Sequence, residues 1–215
     1  TALKHLGGDC REEARLGVGW LLDLQNRDGG IPTFCRGWTN LPFDRSSPDL
    51  TAHAMRAWQA WRDDLTELHD RIDDAYARAA RYLANSDGSH GWAPLWFGNQ
   101  HAPEEINWTY GTAKVAMALN EPAQLTQPGG AMRQRGARTC LLHLQREDGA
   151  WGGCENGPAS IEETALALEA LSGIGNEEGE DSADVQAARD RGANWLLEEV
   201  ESGAWTNPSP IGFYF

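Results

Sequence analysis

The chain is constrained first by a segment that recurs. Its fullest copy runs from Arg135 through Gly136, Leu141, Leu142 and Gln145 to Gly149 and Trp151: a helix of small and aliphatic residues ending in Gln, an Asp-Gly turn, then Trp. The same frame fits Arg15, Gly17, Trp20, Leu21, Leu22, Gln25, Asp28 and Gly29, with Ile31 in the Trp place. It fits again, without the Gln, at Arg78, Ala79, Tyr82, Leu83, Asp87, Gly88 and Trp92. A fourth pass, with Glu201 in the Gln place, is Arg191, Gly192, Trp195, Leu196, Leu197, Gly203 and Trp205. The opening arginines lie 63, 57 and 56 residues apart, the mark of a repeat array.

Between these copies the chain reads as helix, Gly-rich turn, helix. Residues 12–25 carry Leu16, Trp20, Leu21 and Leu24 at helical spacing and stop at Asp28-Gly29-Gly30. Ser47-Pro48-Asp49 is a helix start, with Ser as cap, Pro at the first position and Asp in the first turn, and Leu50, Ala54, Ala57 and Trp61 share one face beyond it. Further helices are expected over about 67–84, 112–119, 160–171 and 187–200. In the 160–171 helix Ser160 caps, Glu163 closes a capping box, and Ile161, Ala165, Leu168 and Leu171 form the apolar face. An aromatic loop fills residues 92–111, 122–130 is a link, 176–184 an acidic loop, and the terminal SPIGFYF begins a further helix. No stretch alternates convincingly with period two. Each unit must therefore bury its apolar stripe against its neighbours. The fold class is all-α, and helix pairs of this length close into an α/α toroid, with second helices inside and first helices outside; an open solenoid is the alternative. The whole of 1–215 reads as one barrel fragment with repeat units about 12–64, 65–122, 128–175 and 185–215.

Composition narrows function. With 32 acidic against 18 basic residues, a net charge of -14, the chain lacks the cationic surface that phosphate backbones demand, so nucleic acid is excluded as a partner. No run approaches the length of a membrane span. The four cysteines lack metal-ligand spacing and read as reduced thiols. Ten Trp mean that large aromatic surfaces matter here, as packing or as cavity wall.

Four segments in order resemble one family: the Gln145 to Trp151 motif, SPDLTAHAMRAW at 47–58, WFGN and YGT at 96–99 and 110–112, and GFYF at 212–215. Together they are similar to the squalene-hopene and oxidosqualene cyclases, class II triterpene cyclases whose hallmark is the repeated QW motif. The resemblance implies a C-terminal piece of a cyclase catalytic domain, an α/α barrel around an aromatic-lined cavity. Such enzymes protonate a linear isoprenoid such as squalene with an Asp acid and form rings through carbocations. That acid sits in an Asp-x-Asp-Asp motif expected just upstream of Thr1. Within the chain, Asp70, Asp73 and Asp74 have the wrong spacing and a surface-helix context, so the chain alone is expected to be unable to start the reaction. The resemblance also implies a cytoplasmic parent, peripheral to the inner membrane, with no cofactor. The rival is a non-catalytic helical toroid that binds an isoprenoid or a protein partner.

Asp49 and His53 are the candidate catalytic pair. Four residues apart on one helix, they can meet, and an imidazolium beside a carboxyl strengthens the acid. The resemblance gives His53 the task of hydrogen-bonding the catalytic Asp, with Asp49 orienting it. Carbocations need stabilisation without a nucleophile, which aromatic faces supply; the resemblance places Phe34, Trp96, Tyr110 and Phe213 on the cavity wall. Trp20, Trp151, Trp195 and Trp205 are frame residues. No metal is expected, since Cys154 and His143 lack a later His to complete a zinc site.

Overall fold

The structure, a computed structural model, describes residues 2–6, 10–36, 44–86, 91–120, 130–173, 180–208 and 211–213. Trp38, Phe43, Asp87, Gly88, Pro122, Tyr214 and the link and acidic-loop positions 121–129 and 174–179 lie outside the described residues, as does the side chain of Phe213. The chain forms two compact units, Thr1–Asp87 and Gly88–Phe215.

The first unit holds α1 (Ala2–Leu6), α2 (Arg11–Leu24), β1 (Ile31–Pro32), β2 (Ser46–Ser47), α3 (Pro48–Trp61) and α4 (His69–Asn85). Helices α2, α3 and α4 pack on one another. On α4 the buried residues Ile72, Ala75, Tyr76, Ala79, Ala80 and Leu83 form one stripe, and charged side chains take the other side. Trp58, Met55, Leu65, Ile72 and Leu83 are the large apolar side chains fully enclosed in this core.

The second unit holds β3 (Phe97–Asn99), α5 (Trp108–Leu119), α6 (Gly130–Leu144), α7 (Ile161–Ser172), α8 (Glu180–Ser202) and β4 (Ile211–Phe213). Every residue of α5 from Thr109 to Leu119 is buried except Lys114, as a helix packed on several sides must be. It lies against α6 and α7, and α7 against α8.

One bonding scheme recurs in both units. The Gln25 amide donates to Gly29 O and Ala75 O, each at 2.8 Å. The Gln145 amide donates to Gly149 O and Ala188 O, again each at 2.8 Å. One side chain thus closes its own turn and grips the helix of the next repeat. The turn glycines are left-handed, φ +95° at Gly29 and +92° at Gly149, and a Cβ would strike the backbone of Arg78 or Arg191. After each turn a backbone N–H donates to a threonine hydroxyl in the following helix: Ile31 to Thr51, Trp92 to Thr112 and Trp151 to Thr164. Ile31 makes the same bond as the tryptophans, so the slot is defined by its backbone.

Several expectations shift. The packed face of α2 is turned from the expected one: Ala14, Val18 and Leu22 are buried with the expected Leu24, while Leu16 and Trp20 are exposed. On α7 the buried set is Glu163, Thr164, Ala167, Ala170 and Leu171, and Ala165 is exposed. Ser160 does cap α7 by accepting from Glu163 N, but its own N–H donates to Trp151 O, so the Glu163 carboxyl is released from the capping box. The Ser47 hydroxyl donates to Asp49 instead of capping a backbone N–H. Residues 211–213 form a strand on Phe97–Asn99, not a helix.

The scheme predicts that Gln25→Ala destabilises the first unit by about 1–3 kcal/mol, the cost of leaving buried acceptors without their donor. Chemical denaturation followed by Trp fluorescence checks it, with Leu16→Ala on the exposed face of α2 expected to cost less than about 0.5 kcal/mol.

Candidate functional site

In the first unit the antiparallel pairing of Ile31 with Ser47 fixes the entry to α3. Thr51 reinforces it, its hydroxyl donating to Ser47 O at 2.7 Å while accepting from Ile31 N at 2.9 Å. Asp49, in the first turn of α3, is only 2% exposed and accepts from the Ser47 hydroxyl. A carboxylate here is favoured by the helix dipole and by its hydrogen bond. The Tyr82 hydroxyl donates to Ser46 O at 2.8 Å, and burial, with the charges of Asp28 and Asp49, pushes its pKa well above the usual value. His53 follows one turn later with its ring exposed.

Asp44 is a further buried acid. It is 5% exposed, and neither carboxyl oxygen has a hydrogen-bond partner among the described residues. With Arg27, Arg36, Arg45 and Asp28 it borders a cleft of about 710 Å³. Sequence reasoning missed Asp44, because nothing in local spacing separates a buried loop acid from a solvated one. Phe34 stands on the surface of this unit, 59% exposed.

In the second unit the chain gathers aromatic side chains. Tyr110, in the first turn of α5, is buried, and its ring stacks on Phe97 at 4.7 Å between centroids. The Lys114 ammonium lies 5.3 Å from the Tyr110 ring centre, so the π-face of this tyrosine already engages a cation. Half-buried Trp96 precedes Phe97, and Phe213 is the register partner of Phe97 on β4. The structure therefore brings the positions of Trp96, Tyr110 and Phe213 together, while Asp49, His53 and Phe34 belong to the first unit. Of the frame tryptophans, Trp151 is enclosed and its indole N–H donates to Leu141 O at 2.7 Å; Trp20 and Trp205 are exposed.

Behind the aromatic segment sits Glu163, fully buried. Its Oε1 accepts from Asn107 Nδ2 at 2.8 Å and from Asn99 Nδ2 at 3.1 Å, and its Oε2 has no partner among the described residues. Burial raises its pKa above the usual 4.5, only partly offset by the two amide donors. Its signal in the sequence is position: Glu163 heads the stripe continued by Ala167, Ala170 and Leu171.

Asp70 and Asp74 point to solvent on α4, and Asp73 is paired with Arg62 at 2.6 Å. Among the described residues no three His, Cys, Asp or Glu side chains are grouped to hold a metal ion. No disulfide joins the cysteines, and no described helix is long and apolar enough to cross a membrane.

The carboxyl of Glu163 yields a prediction with a definite sign. Because the folded state holds this proton more tightly than the unfolded chain, its stabilising contribution is complete below about pH 4.5 and lost as pH rises through the folded-state pKa. The denaturation midpoint of E163Q should gain on wild type as pH rises above about 4.5 and level off once the folded-state pKa is passed. A difference independent of pH contradicts this.

No protein-family model matches the chain. The chain is 26% identical to the enfumafungin synthase of Hormonema carpetanum over 93% of its length, and 26% identical to the squalene–hopene cyclase of Zymomonas mobilis over 94%. Among solved structures it resembles ent-copalyl diphosphate synthase from Streptomyces platensis, with a TM-score of 0.65 and 23% identity over 82% of the chain. That likeness shows a shared α/α fold. The chain spans 16%, 31% and 30% of these three proteins, respectively. By the motifs it carries, the proteins it matches and the fold it shares, the chain is similar to the class II terpene cyclases.

Proposed function

We propose that this chain is the C-terminal part of a cyclase that protonates a linear triterpene such as squalene and guides the resulting cations into rings. The observation that carries the reading is Asp49: a carboxyl 2% exposed, held in the first turn of α3 with His53 one turn on, inside the Asp-x-Thr-Ala-His stretch. Burying an acid is expensive unless it serves a hydrogen-bonded arrangement, and Ser47 supplies one such bond. In this reading Asp49 orients His53 and favours its imidazolium, and His53 strengthens an Asp acid supplied by an Asp-x-Asp-Asp segment outside the chain. The chain alone therefore starts no reaction.

Phe34 in the first unit, and Trp96, Tyr110 and Phe213 in the second, are the aromatic residues that stabilise successive cations without quenching them. The stack of Phe97 on Tyr110 fixes the position of that ring. The repeated Gln, Gly and Trp positions are the QW motifs of the family. The parent acts in the cytoplasm, in hopanoid-type biosynthesis, and takes its apolar substrate from the inner membrane by peripheral contact.

The test is cyclisation by the full-length protein, given squalene and, separately, a linear prenyl diphosphate. His53→Ala should leave the unfolding midpoint unchanged and lower kcat at least about 100-fold, the usual weight of a group that tunes proton transfer. Wild-type turnover in His53→Ala removes the role given to His53, and no cyclised product from either substrate removes the cyclase reading.

A further inference from the structure

We infer that Glu163 is a positioning residue for the aromatic wall, holding both ends of the 99–107 excursion and thereby setting where the cation cascade stops. This rests on the proposal that Trp96 and Tyr110 stabilise the cations. Asn99 ends β3, two residues after Phe97, and Asn107 immediately precedes α5, three residues before Tyr110. Both side chains are fully buried, and both direct their amide N–H to the same oxygen of Glu163. Their own oxygens are spent locally: Asn107 Oδ1 accepts from Tyr110 N at 2.9 Å, and Asn99 Oδ1 accepts from His101 N at 3.0 Å. Each asparagine thus passes the position of Glu163 directly to the backbone that bears or flanks an aromatic residue. A single acceptor on α7 pins two points eight residues apart in the chain.

The surroundings leave little slack. The carbonyl of Gly153 accepts from Trp108 N at 2.8 Å and that of Gly152 from the Thr109 hydroxyl at 2.6 Å. A Cβ on Gly153 would come within 2.5 Å of the Asn99 side chain, so the turn closes over the asparagine that Glu163 holds. Within the excursion Glu104 and Glu105 have φ of +54° and +59°, a region that costs non-glycine residues energy and persists only where the ends are fixed. Glu163 therefore acts on the wall through its two asparagines. Wall shape decides which cation meets an aromatic face, so loosening this clamp frees intermediates to lose a proton early.

The experiment compares wild type, E163Q and E163A of the full-length protein in two measurements. In squalene turnover, E163A is expected to raise the share of incompletely cyclised products at least tenfold with KM within threefold, and E163Q, which keeps the acceptor oxygen, to stay within twofold of wild type. In amide hydrogen exchange, E163A should speed exchange at His101 and Tyr110 at least tenfold while Val115–Leu119 keep wild-type protection, and E163Q should change neither. Unchanged exchange in E163A overturns the clamp. Accelerated exchange with an unchanged product distribution overturns its role in specificity. Absence of product from wild type defeats the cyclase reading and the specificity role together, and exchange alone then decides whether the clamp exists.

Discussion

The structure depends on a glutamine amide that serves two carbonyls at once. In each unit the side chain, Gln25 or Gln145, satisfies the turn that ends its own helix and a carbonyl in the helix of the following repeat. Turn carbonyls at helix ends are orphaned by geometry, and a shared donor repairs the end while fixing the next helix against it. The requirement spreads outward. The turn must be left-handed, hence Gly29 and Gly149; the neighbouring backbone must come close, which forbids a Cβ at either. The strand-like residue after the turn then lands on a threonine hydroxyl, at Thr51 and Thr164. A local repair thereby becomes a repeat.

That geometry delivers the N-terminal turns of α3 and α7 to fixed places, and each carries a buried acid with a different solution to burial. Asp49 sits where the helix dipole and the Ser47 hydroxyl favour the charged form. Glu163 has two neutral amides on one oxygen and, among the described residues, no partner on the other, and burial raises its pKa. One acid suits electrostatic work, the other mechanical work. Both lie within two residues of a repeat position, Asp49 two before Thr51 and Glu163 directly before Thr164. The repeat frame thus places buried acids as well as carrying load.

The spans of α2, α3 and α7 were legible because their caps, breakers and apolar periods agree. Which face packs was less so: Leu16 and Trp20 outrank Ala14 and Val18 in hydrophobicity, yet it is Ala14 and Val18 that are buried. The start of α8 at Glu180 was hidden because an acidic run reads as solvated loop, although acidic residues are what a helix N-terminus favours. The strand at Ile211–Phe213 was invisible because its partner lies more than a hundred residues away. Spacing sets Asp49 and His53 one turn apart on α3, and resemblance names Tyr110 and Trp96 as candidates. Asp44 and the link from Glu163 to Asn99 and Asn107 could not be found, since both arise from contacts between segments distant in the sequence.

The most direct test of the account is the coding sequence of the roughly 50 residues preceding Thr1 in the gene. The account predicts an Asp-x-Asp-Asp motif there, the acid that His53 would serve. A gene with no such motif would contradict it, leaving His53 without an acid and the chain as a helical module that binds without catalysing.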